Sequence, residues 1–323
     1  RQRQMCIRDS IDTDLGFDCD DAGALAIANK LKNEGKIDIL AVTHSVNKKI
    51  GCDAIKLIND YYGNPDIPVG TAERYALNVD EFYEEFYAKF HYAESFTGWV
   101  EKPTFYKILN KLNLEKYKNE VYRSAKEVIV EALEKCEDKS VTVLCIGQAN
   151  NVADILNENS AWFYRKVKCV VIMCGNFNDY EYEYRLGDMY WKGEFNVILD
   201  VKSMQKLFAN KDLPFYVLDF NQSFDVLSGE GLAAQKGNPV RDAYIAHKVG
   251  ATLNMPSWDI MALMFASGEF DDMFSLSRKG AVSVDDNGKT TFSSDSGEHR
   301  LIYRKTDQKE FSECINELFM VKV

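Results

Sequence analysis

With 323 residues, 46% hydrophobic and 28% charged, the chain has the composition of a globular protein, neither disordered nor fibrous. Its 50 acidic side chains outnumber 39 basic ones for a net charge of -11, and no run of Lys and Arg stands out, so DNA, RNA and anionic membranes are excluded as first partners. No stretch approaches the ~18 apolar residues of a membrane span. The first ten residues, RQRQMCIRDS, hold no apolar signal-peptide core, so a cytoplasmic protein is expected; since the chain does not begin with Met, the question of a leader stays open.

In chain order, helical spacing at 22–32 precedes a short β-branched run at 37–43, IDILAVT, which predicts a buried strand. A second helix is predicted over 53–62. The segment 80–99, rich in Phe, Tyr and Glu, reads as a helix or a mobile flap. Helix 121–136 then leads to strands at 141–146 and 167–174, helix 201–208, strand 214–220, and helices 239–248 and 257–266. Such alternation implies an open, mostly parallel sheet covered by helices on both faces, with ligands bound beyond the carboxyl ends of its strands. Towards the C-terminus, runs at 280–284 and 290–292 flank the turn DDNG, and GEHRLIYRK follows as a third strand of a small antiparallel appendage before a last helix at 310–319. Eight cysteines without CxxC pairs, several in apolar runs, read as reduced structural residues.

The densest chemistry is DTDLGFDCDDA at 12–22, where Asp12, Asp14, Asp18, Asp20 and Asp21 crowd just ahead of a helix. Like charges this close need a cation or a proton to relieve them, and oxygen ligands suit Ca²⁺ or Mg²⁺. An acidic turn with an Asp N-cap would explain one or two of the five. An EF-hand is ruled out, because its required Gly and Glu positions are Phe17 and Gly23 here. A haloacid-dehalogenase-type phosphatase fits poorly, since Leu15, Gly16 and Phe17 follow the Asp-x-Asp, and no GxSxG supports a serine nucleophile.

The run DTDLGFDCDDA resembles the amino-terminal signature of the inosine-uridine preferring nucleoside hydrolases, in a variant with an extra x-Asp before the final Asp-Asp. Further blocks that resemble the family follow in order: SVN at 45–47, YYGNPDIPVG at 61–70, CIGQANNVADIL at 145–156, VIMCG at 171–175, GEFNVILD at 193–200, NPVRDAY at 238–244 and PSWDIMAL at 256–263. The resemblance spans nearly the whole chain and implies a single nucleoside-hydrolase domain over 1–323 with a Rossmann-like sheet and one Ca²⁺ at its carboxyl end. It further implies that Asp14, Asp21 and Asp259 are metal carboxylates, that Asn150 offers its main-chain carbonyl, and that Asp14 is the general base for a metal-held water. Ribose would be held by Asp20, or Asp18 given the two-residue insertion, with Glu194 and Asn196, and Asn47 would stand at the edge of the substrate pocket. Asp188 stands where many relatives have a ribose-binding Asn. The substrate it implies is a small-molecule nucleoside, and the protein is expected to be a homo-oligomer, dimer or tetramer.

Several positions depart from the family pattern. Many relatives carry His-Asp where Trp258 and Asp259 stand, so their leaving-group acid is absent; a purine-preferring branch has Trp there, stacked on the leaving base. Phe82, Tyr83, Phe86, Trp99 and Trp191 are candidates for a second ring. His44, after the second strand, is a weaker candidate for the site, while His247 and His299 read as structural. MCIRDSI offers few apolar residues for a first strand, so residues 1 to about 10 read as a foreign or misread end. The expected activity is metal-dependent hydrolysis of ribonucleosides to base and ribose, with a tilt to purines. The rivals are a non-catalytic nucleoside binder, a hydrolase of another riboside, and a phosphatase.

Overall fold

The computed structural model describes residues 7–74, 105–177, 183–186, 189–247 and 251–320. The segment 80–99 therefore lies outside the described residues. In chain order the strands are β1 (Ile7–Thr13), β2 (Ile37–His44), β3 (Val69–Thr71), β4 (Arg123–Ser124), β5 (Val141–Ile146), β6 (Val167–Met173), β7 (Glu183–Leu186) and β8 (Met189–Lys192). They continue as β9 (Phe215–Leu218), β10 (Leu227–Ser228), β11 (Met255–Pro256), β12 (Phe274–Leu276), β13 (Ala281–Val284), β14 (Thr290–Ser293) and β15 (Arg300–Arg304). Nine of them form one sheet in the order β12-β15-β9-β6-β5-β1-β2-β3-β4. All neighbours are parallel except β12 and β15. This is the mostly parallel, mixed α/β sheet expected from the alternating pattern, with short antiparallel pairs β7-β8, β10-β11 and β13-β14 outside it.

A parallel sheet needs apolar cover on both faces, and β5 is buried along its whole length. Helices Asp20–Asn33, Pro239–His247, Trp258–Ala266 and Gln308–Phe319 cover one face. There Leu25, Tyr244, Ile260 and Phe311 share a core with Ile11 and Leu144 of the sheet. On the other face Ile129, Val152 and Leu207, from helices Ala125–Glu134, Asn150–Glu158 and Val201–Phe208, pack with Val143 and Ile172. From β1 the chain moves outward through β2, β3 and β4, then returns to lay β5 on the other side of β1. That reversal is a topological switch point, where open α/β sheets bind ligands past the carboxyl ends of their strands, and the acidic signature and residues 147–151 directly follow β1 and β5 there.

Two boundaries differ from expectation for physical reasons. The helix predicted from residue 121 begins at Ala125, because the Ser124 hydroxyl accepts from Glu127 N at 3.4 Å and caps it, leaving Val121 in solvent. β15, expected as a third strand of the C-terminal appendage, instead joins the main sheet, parallel to β9 and antiparallel to β12. Its adjacent apolar residues Leu301 and Ile302 are both buried, which a two-sided sheet satisfies and a small surface hairpin does not. The seven described cysteines are free. Among the described residues, no helix is long and apolar enough to cross a membrane.

Ile7 to Ser10 enter the central strand despite their polarity, in register with β2 and, from Arg8, with β5. Asp9 is fully buried there, and neither carboxylate oxygen has a hydrogen-bond partner. Burial raises its pKa well above the ordinary value, only partly offset by Lys168. The native state thus holds this proton more tightly than the unfolded chain, so the carboxyl is tolerated below the usual carboxylate range and costs stability as pH rises through the raised value. Asp9→Val should raise the melting temperature at pH 7 by about 2 °C or more, and by less at pH 4. A fall at pH 7 would contradict this account of Asp9.

Candidate active site

The signature turns sharply after β1. The Thr13 hydroxyl donates to Asp21 Oδ1, Leu15 N donates to Thr13 Oγ1 at 3.2 Å, and Asp14 N donates to the Asp21 carboxylate. These bonds fold the turn back over the first residues of helix Asp20–Asn33. Helix Trp258–Ala266 brings its own N-terminus to the same place, where Asp259 N donates to Asp20 Oδ2 at 2.9 Å. Two helix N-termini thus face one group of carboxylates, and their partial positive charge favours it. Asp18, Asp20, Asp21 and Asp259 each present an oxygen within 4.8 Å of the others.

Burial is the largest cause raising the pKa of Asp14, Asp20, Asp21 and Asp259, and neighbouring carboxylates add to it. For Asp14 the neighbours are Asp18, Glu194 and Asp20, which sets it beside the cluster. Asp14 Oδ2 and Asp21 Oδ2 are buried without a hydrogen-bond partner. Buried oxygens left unpaired, in a donor set made only of carboxylates, fit a hard divalent cation. The four-carboxylate group includes Asp18 and Asp20, whereas the sequence pointed to Asp14, Asp21 and Asp259 with Asn150.

The turn after β5 packs onto Asp14. A Cβ on Gly147 would lie 2.9 Å from Asp14 N and 3.0 Å from Asp14 Cβ, so only glycine permits this approach. Ala149 takes a left-handed conformation (φ 50°) and launches helix Asn150–Glu158. The Asn150 amide donates to Ser45 O at 3.0 Å. Asn151 donates to Asp12 Oδ1 at 2.7 Å, as does the Thr43 hydroxyl at 2.7 Å, which ties β1, β2 and this helix together. Burial pushes the Asp12 carboxyl up to about 6.

His44 is fully buried, with Nδ1 2.6 Å from Val46 O and Nε2 3.1 Å from Leu15 O. Burial pushes its pKa down to about 4, against the pull of these two carbonyls. The Asn47 amide donates to Glu73 O at 3.2 Å.

Glu194 caps helix Phe195–Leu199 and is buried. Its Oε1 accepts from Asn196 N and its Oε2 from Gly175 N, both at 2.9 Å. Burial raises it to about 7, against the pull of those backbone donors, and Asp18 adds to the rise. Asn196 donates to Met173 O at 3.1 Å. Glu194, Asp14 and Asp18 are thereby electrostatic neighbours, although 180 positions separate Asp14 from Glu194 (194 − 14). Asp188, Phe82, Tyr83, Phe86 and Trp99 lie outside the described residues, and Trp191 is part of β8.

Trp258 has a partner absent from the sequence-based candidates. Its indole stacks on Phe220 (centroids 5.2 Å, planes 29° apart) and its Nε1 donates to Phe220 O at 3.2 Å. Phe220 stacks in turn on Phe224 (5.9 Å, 6°). The indole N–H is thus engaged by backbone, and one ring face is covered. The spacing of Phe220 and Phe224 on a short segment after β9 was the available signal. Thr13, Gly147 and Asn151 were likewise within quoted motifs but carried no role there.

The family profile of the inosine-uridine preferring nucleoside hydrolases matches residues 10–313, and the chain belongs to that family. It is a nucleoside N-glycosyl hydrolase with a small-molecule nucleoside as substrate. Among solved structures it is similar to the inosine-uridine preferring nucleoside hydrolase from Bacillus anthracis, with a TM-score of 0.71, 16% identity, 97% of this chain and 99% of that one covered. It is also similar to a purine-preferring ribonucleoside hydrolase from Gardnerella vaginalis (0.67, 17%, 97% and 99%). A third is the type III effector protein XopQ complexed with adenosine diphosphate ribose (0.67, 13%, 98% and 94%). At such identities these likenesses speak for the fold. Comparison with curated protein sequences finds no match.

The raised carboxylates set a linkage. Without a cation the native cluster holds protons that the unfolded chain releases, so stability falls as pH rises through the raised values; a cation displaces those protons. The stabilisation by Ca²⁺ over chelator, read as a rise in melting temperature, should therefore be larger at pH 8 than at pH 5; a hundredfold excess over Kd corresponds to about 2.7 kcal/mol. An equal gain at both pH values, or none, would contradict a cation-binding cluster.

Proposed function

We propose that the protein hydrolyses the N-glycosidic bond of ribonucleosides in a Ca²⁺-dependent reaction, with preference for purines. The observation that carries the metal dependence is the meeting of buried carboxylates, two of them with unpaired oxygens, at two helix N-termini. Asp14, Asp21 and Asp259, with the main-chain carbonyl of Asn150, would hold the ion. A bound Ca²⁺ supplies Lewis acidity toward water and the ribose hydroxyls.

Within this reading Asp14 removes the proton from the attacking water, a contribution of ~10²- to 10⁴-fold. Its buried, unpaired oxygen supports that role. Glu194 and Asn196 grip ribose hydroxyls, with Glu194 oriented by two backbone N–H groups. Of Asp18 and Asp20, Asp20 already accepts from Asp259 N and is buried, while Asp18 is partly exposed, which favours Asp18 for a sugar hydroxyl. Asn47 and Asp188 complete the proposed ribose contacts. Cleavage builds positive charge on the sugar ring, and the surrounding carboxylates stabilise it.

Trp258 would accept the leaving base against its remaining ring face. Its N–H bond to Phe220 O and the stack beneath it hold the indole in place for this. Adenosine diphosphate ribose, present in one structural neighbour, names the alternative reading, a ribosyl ligand bound without turnover.

The test is free ribose released from inosine, adenosine, guanosine, uridine and cytidine, with adenosine diphosphate ribose assayed for binding and cleavage. Release from the nucleosides, highest for purines, is the expected result; binding without release would establish the alternative. Asp14→Ala and Asp259→Ala should each abolish turnover while circular dichroism stays that of the wild type. Wild-type rates in both would overturn the assignment. Trp258→Ala should lower kcat/KM for purine nucleosides by about tenfold or more, as expected for loss of a stacked base, and for pyrimidine nucleosides by less. An equal loss on both would remove the stacking role.

A further inference from the structure

The C-terminal hairpin β13-β14 lies far from Glu194 in sequence yet braces it from two sides. Thr290, at the start of β14, is 4% exposed. Its hydroxyl accepts from Asn176 N and donates to Asn176 O, both at 3.0 Å, clamping one residue of the segment after β6. The residue before that clamp, Gly175, donates its N–H to Glu194 Oε2 at 2.9 Å. Gly175 is itself in the left-handed region (φ 83°), and a Cβ there would lie 3.0 Å from Thr290 Oγ1.

The hairpin turn supports the other end. A Cβ on Gly193 would lie 2.3 Å from Gly288 O, so the turn rests on the residue just before Glu194. The turn is stiffened by Asp285 Oδ1, which accepts from Asn287 N at 2.8 Å and Lys289 N at 2.9 Å. It is also held to helix Val201–Phe208 by Gln205 Nε2 donating to Val284 O at 3.3 Å.

We infer that Thr290 is a positioning residue for the proposed ribose-holding carboxylate: through Asn176 and Gly175 it fixes the N–H that orients Glu194. The inference rests on the hydrolase reading and on Glu194 gripping ribose. In that reading Glu194 holds ribose hydroxyls that are already bound before the glycosidic bond breaks, so loosening it is expected chiefly in KM.

The experiment compares ribose release by wild type, Thr290→Val, Thr290→Ser and Thr291→Val on the nucleoside that wild type cleaves best. Thr291 lies on the exposed side of the same hairpin, its hydroxyl 2.8 Å from Ser283 Oγ. Thr290→Val removes both bonds to Asn176 and is expected to raise KM about tenfold, as for the weakening of roughly one hydrogen bond between Glu194 and ribose, with kcat within about twofold. Thr290→Ser should restore wild-type KM, and Thr291→Val should leave it unaltered. Should Thr290→Val fail to fold, Thr290→Cys, with its weak donor and acceptor, carries the same expectation.

An unchanged KM in the Thr290 variant overturns the inference alone, as does an equal rise in Thr291→Val. No ribose from wild type on any nucleoside overturns the hydrolase reading, and the inference with it.

Discussion

Burying several carboxylates at one end of a sheet is the constraint on which the rest of the molecule depends. Each ionised carboxylate taken from water costs on the order of several kcal/mol unless it is compensated. The compensation is visible in the backbone. Helices Asp20–Asn33 and Trp258–Ala266 aim their N-termini at the group, Thr13 and Asp14 donate to Asp21, and Asp259 donates to Asp20. These donors do not reach every oxygen, since Asp14 Oδ2 and Asp21 Oδ2 stay unpaired. A divalent cation or a set of protons completes the balance. In the proposed reaction, where the sugar becomes positively charged, the same arrangement would serve, because negative charge already fixed in place needs no reorganisation as the bond breaks.

The fold explains why residues so distant in sequence meet. Strand order reverses at β1 and β5, the place where open α/β sheets gather their ligand-binding turns. Asp14 to Asp21 follow β1, Gly147 to Asn151 follow β5 and pack on Asp14, and Glu194 is held by the turn after β6. Glycine at 147 lets the β5 turn lie directly on Asp14, and Asn151 locks Asp12 to the same turn. The imidazole of His44, between Leu15 O and Val46 O, ties the acidic turn to the segment after β2.

Much of this was legible in the sequence, for identifiable reasons. Runs such as VTVLCI read as strands buried on both faces, as the structure has them, and five Asp residues ahead of a helical pattern pointed to a specialised turn beside the plainer reading of an N-capped acidic one. What escaped depended on packing. The fate of β15 turned on which sheet could cover both Leu301 and Ile302. The stack of Trp258 on Phe220 joins two segments 38 residues apart, and periodicity is silent about such contacts. Asp9 is the opposite case: the polarity of the first strand was plain, but only the register with β2 and β5 reveals a carboxyl buried without a partner.

The central claim is that the buried carboxylate cluster binds the cation on which hydrolysis depends. The most direct test measures Ca²⁺ binding to the chelator-stripped protein by calorimetry and, on the same preparation, the rate of ribose release from inosine as Ca²⁺ is titrated back. The account predicts one binding event whose midpoint coincides with the midpoint of activation, and no ribose release at zero occupancy. Full activity in the stripped protein, or binding that saturates without activating, would contradict it.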